Sequence, residues 1–384
     1  MRNSNSQTPL LNSVPKVLGV PLQQGRFLSS VFFLSIGVTI GILSSYYYVK
    51  NGIPSLQFLR SSLTQSQPQS SSFVLSPGPA NYNSSYVWHN MNDKELLRAA
   101  SKAIRNETYL AHHVPKVAFL FLVRGPVLLA PLWQKFFEDN EGKYSIYVHS
   151  NPSYDSSIPE SSVFRGRRIP SKKVEWGGVN MIEAERRLLA NALLDLSNER
   201  FALISESCIP IYNFTFTYNY LINSTQNYVM AYDEKSAVGR GRYRSSMAPT
   251  VAIHQWRKGS QWFEMGRELA YQVVTDKTYF PIFQKYCKGS CYSDEHYLPT
   301  YVSIEHWQKN SNRSLTWVDW SKGGPHPAKF VRPDVTIEFL NSLRDMKCKY
   351  NGRNSTSACY LFARKFLPNA LVRLLKVSRK VFRF

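Results

Sequence analysis

Lys116-Val-Ala-Phe-Leu-Phe-Leu-Val123, halted by Arg124-Gly125-Pro126, is the stretch that decides the fold. It reads as a buried strand: a short apolar run closed by a turn signal. Leu128 to Glu138 reads as a helix, and Tyr144 to His149 as a second strand running into the polar Ser150-Asn151. Ile182 to Leu196 reads as an amphipathic helix, with Ile182, Leu188, Leu189, Ala192, Leu193 and Leu196 on its apolar face. Phe201 to Ile204 is a third strand, followed by Ser205-Glu206-Ser207, and Tyr228 to Tyr232 a fourth, followed by Asp233-Glu234. Strands alternating with helices predict an α/β fold with a mixed, largely parallel central sheet. In such sheets ligands lie beyond the carboxyl ends of the strands. That rule singles out Arg124, His149-Ser150-Asn151, Ser205-Glu206-Ser207 and Asp233-Glu234, and no glycine-rich phosphate loop accompanies them.

Outward from the first strand, the amino-terminal side changes character. Residues 1–26 are polar and basic, and Phe27 to Val49 carries no charge. As a helix that run spans roughly 34 Å at about 1.5 Å per residue, enough to cross a bilayer. Tyr46, Tyr47 and Tyr48 form an interfacial belt at its end. The run is long and starts late for a cleaved signal peptide, and no small-x-small cleavage site follows. Residues 27–49 are therefore expected to be a single-pass anchor behind a cytosolic arm, and the Ser-, Gln- and Pro-rich residues 50–92 a hydrated stem. Residues 93–362 form the expected lumenal domain, and 363–384 a basic amphipathic tail.

The chain has 384 residues, 47 Lys plus Arg against 26 Asp plus Glu, and a net charge of +21. Such a balance suits nucleic acid, an anionic membrane or a phosphorylated ligand; a lumenal body does not meet nucleic acid. Glycosylation acceptors at Asn83, Asn106, Asn213, Asn223, Asn312 and Asn354 all lie beyond the anchor, which agrees with that topology. All five cysteines fall in the body. An oxidising lumen permits disulfides, Cys348–Cys359 is the expected pair, and at least one cysteine stays unpaired. Cys287 and Cys291 lack the second pair or His-x-x-x-His that zinc needs, so no metal is expected.

The chemistry concentrates in Cys291-Tyr-Ser-Asp-Glu-His-Tyr-Leu298, two adjacent carboxylates set among aromatic rings. An apolar wall desolvates a carboxylate and makes it a better base near neutral pH. Asp294 and Glu295 also read as the acidic first turn of a helix capped by Ser293, and both readings can hold. Before them lies Gln255-Trp-Arg-Lys-Gly-Ser-Gln-Trp-Phe263, and after them Arg313 and Pro327-Ala-Lys-Phe330. Gly239-Arg-Gly-Arg-Tyr-Arg244 reads as a flexible basic loop, lining an anionic site or merely solvated.

Phe201-Ala-Leu-Ile-Ser-Glu-Ser-Cys-Ile-Pro-Ile211, the Gln255–Phe263 stretch and Tyr292–Leu298 together resemble the core-2/I-branching β-1,6-N-acetylglucosaminyltransferase family, glycosyltransferase family 14, and its plant branch most of all. The resemblance covers about residues 115–345. It implies a GT-A-like nucleotide-sugar domain in the Golgi, moving a sugar, such as N-acetylglucosamine, from a UDP-sugar to a glycan hydroxyl with inversion and without a divalent metal. The chain has no Asp-x-Asp, which fits. The resemblance makes Glu295 the base, Arg313 and Lys329 the cations facing UDP, and Asp294 an orienting group. Glu234, Arg124, Ser205 and Trp256 are further candidates for acceptor or donor contact. The family's turn after the second strand ends in an acid, whereas here it reads His149-Ser150-Asn151. That departure keeps open a non-catalytic, membrane-anchored glycan-binding protein. A glycosidase using Glu295 with Glu206 or Glu234 is a third reading.

Overall fold

The computed structural model describes Thr39 and residues 87–103, 113–155, 157–352 and 354–384. The expected arm, the anchor apart from Thr39, most of the stem, Asn83 and Asn106 lie outside the described residues. Among the described residues no helix is long and apolar enough to cross a membrane. All of them but Thr39 belong to one compact unit, Gly78–Phe384.

In chain order the elements are α1 (Asp93–Ser101), β1 (Lys116–Leu122), α2 (Ala130–Phe137), β2 (Tyr144–His149), α3 (Val179–Leu193), β3 (Asn198–Ser205), β4 (Ile209–Pro210) and α4 (Phe214–Ile222). Then come β5 (Glu264–Gly266), α5 (Arg267–Thr275), α6 (Tyr279–Tyr286), α7 (Tyr297–Glu305), β6 (Thr316–Val318) and α8 (Ile337–Ser342). The chain closes with β7 (Cys348–Tyr350), β8 (Asn354–Thr356), β9 (Phe362–Arg364) and α9 (Leu371–Val381).

The central sheet runs β2-β1-β3-β5. β1 pairs in parallel with both β2 and β3, and β5 closes the edge antiparallel to β3. Side chains alternate across a strand, and β1 uses both faces. Val117, Phe119 and Phe121 enter one core with Trp133, Phe136 and Phe137 of α2. Ala118 and Leu120 enter the other with Leu188 and Leu189 of α3. That double burial is why β1 is apolar throughout.

Trp133 centres the first core: its ring lies edge-on to Phe121 at 5.1 Å, and its indole N–H donates to the Cys208 carbonyl at 3.2 Å. Trp133→Ala should lower unfolding free energy by about 3–5 kcal/mol. It removes a buried indole and leaves a buried carbonyl unpaired. Denaturant titration of the purified protein checks this.

Three features depart from the sequence reading. Tyr228–Tyr232 is not a strand of the sheet but an extended segment with isolated bridges at Tyr228 to Glu264 and Tyr232 to Lys258. Two of its intervening N–H groups are taken by side chains, Val229 by Asn310 Oδ1 at 3.0 Å and Ala231 by Asn312 Oδ1 at 2.8 Å. α3 is buried on its polar side too, with Glu185, Arg186, Arg187 and Asn191 all inside. Residues 87–92, assigned to the stem, touch the body: the Val87 N–H donates to the Gly166 carbonyl and His89 bonds Asn191.

A second sheet, β4-β9-β6, stands beside the first. β9 crosses the position where the tail is expected to begin, and α9 packs Leu374, Val377 and Val381 into the body. Cys348–Cys359 forms the expected disulfide, Cys287–Cys291 forms a second, and Cys208 is buried and free.

Candidate active site

Two groups of charged side chains define the site. The first is built on Glu295. Ser293–Glu295 is a single 3-10 turn leading into α7. Ser293 does not cap that turn; its hydroxyl donates to the Gly178 carbonyl at 2.8 Å and its N–H to the Gly177 carbonyl at 3.2 Å. Tyr292, one residue earlier, sits in the left-handed region at φ 52°. That conformation costs energy for a residue with a side chain and must be held by its surroundings. The disulfided Cys291 precedes it. Arg242 stacks on its ring at 4.1 Å and Trp176 meets it edge-on at 5.0 Å. Gly177 lets the ring approach so closely that a Cβ there would lie 2.8 Å from it.

The Glu295 carboxylate is ion-paired with Arg242 at 2.9 Å and with Lys258 at 3.4 Å. Arg242 comes from the Gly239–Arg244 loop, which is thereby a wall of the site rather than a solvated loop. The loop is fixed from below by Trp256, whose indole N–H donates to the Gly239 carbonyl at 3.1 Å. Trp256 is 1% exposed, stacked between Phe283 and His296. It therefore supports the loop and offers no face to a ligand. Lys258 is placed by the bridge to Tyr232 and by Gly259, whose N–H donates to the Glu295 carbonyl at 2.9 Å. Gly259 lies so close to the Met230 carbonyl that a Cβ would come within 1.8 Å of it.

Asp294 points inward and is 4% exposed, with its Oδ1 lacking a partner. Burial and the adjacent Glu295 carboxylate push it up to about 7. Asp294 acts in turn on buried Glu185 of α3, to which Gln261 donates at 2.9 Å; burial, first of all, holds the Glu185 carboxyl well above the usual range. Arg242 and Lys258 act on Asp294 in the opposite sense. The sign of the linkage follows from a folded value above the unfolded one, about 3.9. Between those two values the unfolded chain has released the proton and the folded one keeps it. Stability therefore falls as pH rises from about 4 to about 7. Asp294→Asn should remove that part of the slope, so its melting temperature gains on the wild type between about pH 4.5 and about pH 8. Parallel melts of the two proteins check it.

The second group lies at the carboxyl end of the sheet. Arg124 follows β1, Glu206 follows β3 and Lys365 follows β9. β9 reaches this end because it pairs with β4 and because the Phe366 N–H donates to the Ser207 carbonyl at 2.9 Å. A parallel bridge between Phe330 and Phe366 sets Lys329 beside Lys365. Burial lowers the Lys365 ammonium below its ordinary value, and Arg364, Arg124 and Lys329 lower it further, while Glu206 pulls the other way. Three cations thus crowd a half-buried lysine with one acid among them. This is the field an anion would relieve.

The loop before Phe330 links the groups: His326 lies 5.3 Å from the Trp176 ring, which leads through Tyr292 and Arg242 to Glu295, and Lys329 lies three residues on. Lys365 was missed from the sequence. Its Ala363-Arg364-Lys365-Phe366 setting repeats the Ala328-Lys329-Phe330 pattern, and that repetition was the available signal.

The remaining candidates have partners of their own. Arg313 donates to the carbonyls of Cys359 and Lys349 and to the Tyr220 hydroxyl, and it lies over the Tyr228 ring at 4.9 Å. None of these partners belongs to either group. Ser205 is buried and bonded to Ser207 and Cys208 within its own turn. Glu234 is half-buried, and its carbonyl accepts the Arg240 N–H at the neck of the basic loop. His149 is buried; its Nε2 accepts from Arg187 at 3.1 Å and from the Lys172 N–H at 3.3 Å. Burial and Arg187 push it down to about 3, so it is neutral and serves packing.

Of the acceptor asparagines, Asn213 caps α4, Asn223 and Asn312 are exposed, and Asn354 begins β8. Among the described residues no group of three or more His, Cys, Asp or Glu is placed to hold a metal ion.

The mixed α/β fold with its mostly parallel sheet fits the GT-A-like architecture that the family resemblance implies. The Core-2/I-Branching enzyme family model matches residues 117–344, more than half of the chain, and the chain belongs to that family. Its similarity extends to a plant protein, Glycosyltransferase BC10 of Oryza sativa subsp. japonica, 34% identical over 327 residues that span 73% of this chain and 81% of that protein.

Proposed function

We propose that the protein is an inverting, metal-independent glycosyltransferase that moves a sugar, such as N-acetylglucosamine, from a UDP-sugar to a hydroxyl of a glycan. The observation that carries this reading is the Glu295 carboxylate held by Arg242 and Lys258; the sheet-end cations Arg124, Lys329 and Lys365 form a second group, reached from it through Tyr292, Trp176 and the His326 loop. Glu295 takes the proton of the acceptor hydroxyl as that oxygen bonds to the anomeric carbon. The bond from that carbon to the UDP oxygen breaks, its electron pair leaves with UDP, and attack from the opposite face inverts the configuration. Charge growing on the diphosphate is met by Lys329, Lys365 and Arg124 instead of a divalent ion. Arg313, occupied by its own partners, is left a packing role.

In this reading residues 27–49 anchor the protein in the Golgi membrane with the body lumenal, and the acceptor is a cell-wall polysaccharide or an arabinogalactan-type glycoprotein. Incubating the purified protein with a panel of UDP-sugars in EDTA tests the proposal. Transfer in the chelator, with thermal protection by the same UDP-sugar, is the expected result. Transfer that needs added metal ends the metal-independent reading.

A further inference from the structure

Two large aromatic side chains connected to the Glu295 cluster present open ring faces, the kind of surface an amphipathic ligand can cover. Trp176 is 49% exposed and Tyr232 is 39% exposed. Both connect to Glu295, on different arms of the same cluster. On one arm Trp176 meets Tyr292, Tyr292 carries Arg242, and Arg242 pairs with Glu295. On the other, Lys258 lies 5.8 Å over the Tyr232 ring, 3.4 Å from its hydroxyl, and 3.4 Å from the Glu295 carboxylate. Both rings are held by backbone. Trp176 precedes the Gly177-Gly178 turn whose carbonyls take Ser293, and Tyr232 is bridged to Lys258 through bonds of 2.8 and 2.9 Å.

We propose that Trp176 and Tyr232 are stacking platforms for sugar rings on the two arms of the Glu295 cluster, so that the acceptor is an oligosaccharide several units long rather than a single sugar. A pyranose presents one face of C–H groups, which an aromatic ring covers at low entropic cost, while its hydroxyl edge stays hydrated. Each ring is separated from Glu295 by at least one intervening side chain, so in this proposal one sugar at Glu295 leaves a ring uncovered and each added unit contributes affinity until both are covered. This rests on the function proposed above, and binding measured without catalysis separates the two.

The test uses the full chain in detergent and β-linked gluco-, xylo- and galacto-oligosaccharides from the monosaccharide to the pentasaccharide, with binding followed by saturation-transfer NMR. In at least one series the affinity of the wild type rises with length. Trp176→Ala weakens the pentasaccharide about tenfold and flattens that rise, Trp176→Phe restores most of it, and Tyr232→Ala gives a smaller loss. Melting temperatures close to wild type exclude a folding defect. Absence of length dependence in all three series, or wild-type pentasaccharide affinity in Trp176→Ala, overturns the proposal. Length-dependent binding with no transfer from any UDP-sugar leaves the platforms standing and removes the proposed activity. Transfer that ignores acceptor length removes the platforms alone.

Discussion

Glu295→Gln is expected to lower sugar transfer by about 10²–10⁴-fold, the range a general base contributes, while UDP binding changes little. The substitution keeps the shape of the side chain and its carbonyl oxygen, so one donor from Arg242 or Lys258 still finds an acceptor. What it removes is the group that receives the hydroxyl proton and the charge that balances two cations. Folding should survive, because Gly259 bonds the backbone carbonyl of residue 295 and not its side chain. Asp294 gives the control. Asp294→Asn acts through a carboxyl that faces inward and whose Oδ1 has no hydrogen-bond partner, so its effect on transfer should be smaller and should depend on pH. Rates with the best UDP-sugar, measured beside UDP titrations by calorimetry, separate the two variants. Wild-type turnover by Glu295→Gln would remove the base from the mechanism.

The parts of this protein that were legible in its sequence are those governed by local rules. β1 announces itself because both its faces are buried, and α3 because its apolar positions recur at helical spacing. Tyr228–Tyr232 misled because strand propensity says nothing of who takes the backbone hydrogen bonds. Asn310 and Asn312, about eighty residues away, take two of them.

The carboxylate of the site was legible as a motif and its partners were not. Arg242 and Lys258 lie 53 and 37 positions before Glu295, and Arg242 is brought in by long-range contacts of the basic loop, among them the Trp256 indole and the Tyr292 ring. The cation group was half legible. Lys329 stood in a recognisable setting, whereas Lys365 reaches the sheet end through β9, a three-residue strand that no periodicity marks.

Lys365→Ala is the second large effect, expected to weaken UDP by about 10–100-fold, as the loss of a charge-assisted contact of about 1.5–3 kcal/mol implies. Lys365 is half-buried and held below its ordinary proton affinity by burial and by Arg364, Arg124 and Lys329. Like charges so placed raise the energy of the empty site, and a diphosphate relieves that repulsion as well as pairing with it. The exposed Lys329 is screened by solvent and should cost less when replaced by Ala. Arg313→Ala makes the comparison decisive. Its guanidinium is spent on the Cys359 and Lys349 carbonyls, the Tyr220 hydroxyl and the Tyr228 ring. Its loss should therefore lower the melting temperature and leave UDP affinity near wild type. Calorimetric titration of UDP into the three variants, at two salt concentrations, ranks them. The order Lys365, then Lys329, then Arg313 supports the cation group at the sheet end. A reversed order, with Arg313 dominant, would move the diphosphate away from β9 and toward the Tyr220–Tyr228 side of the protein.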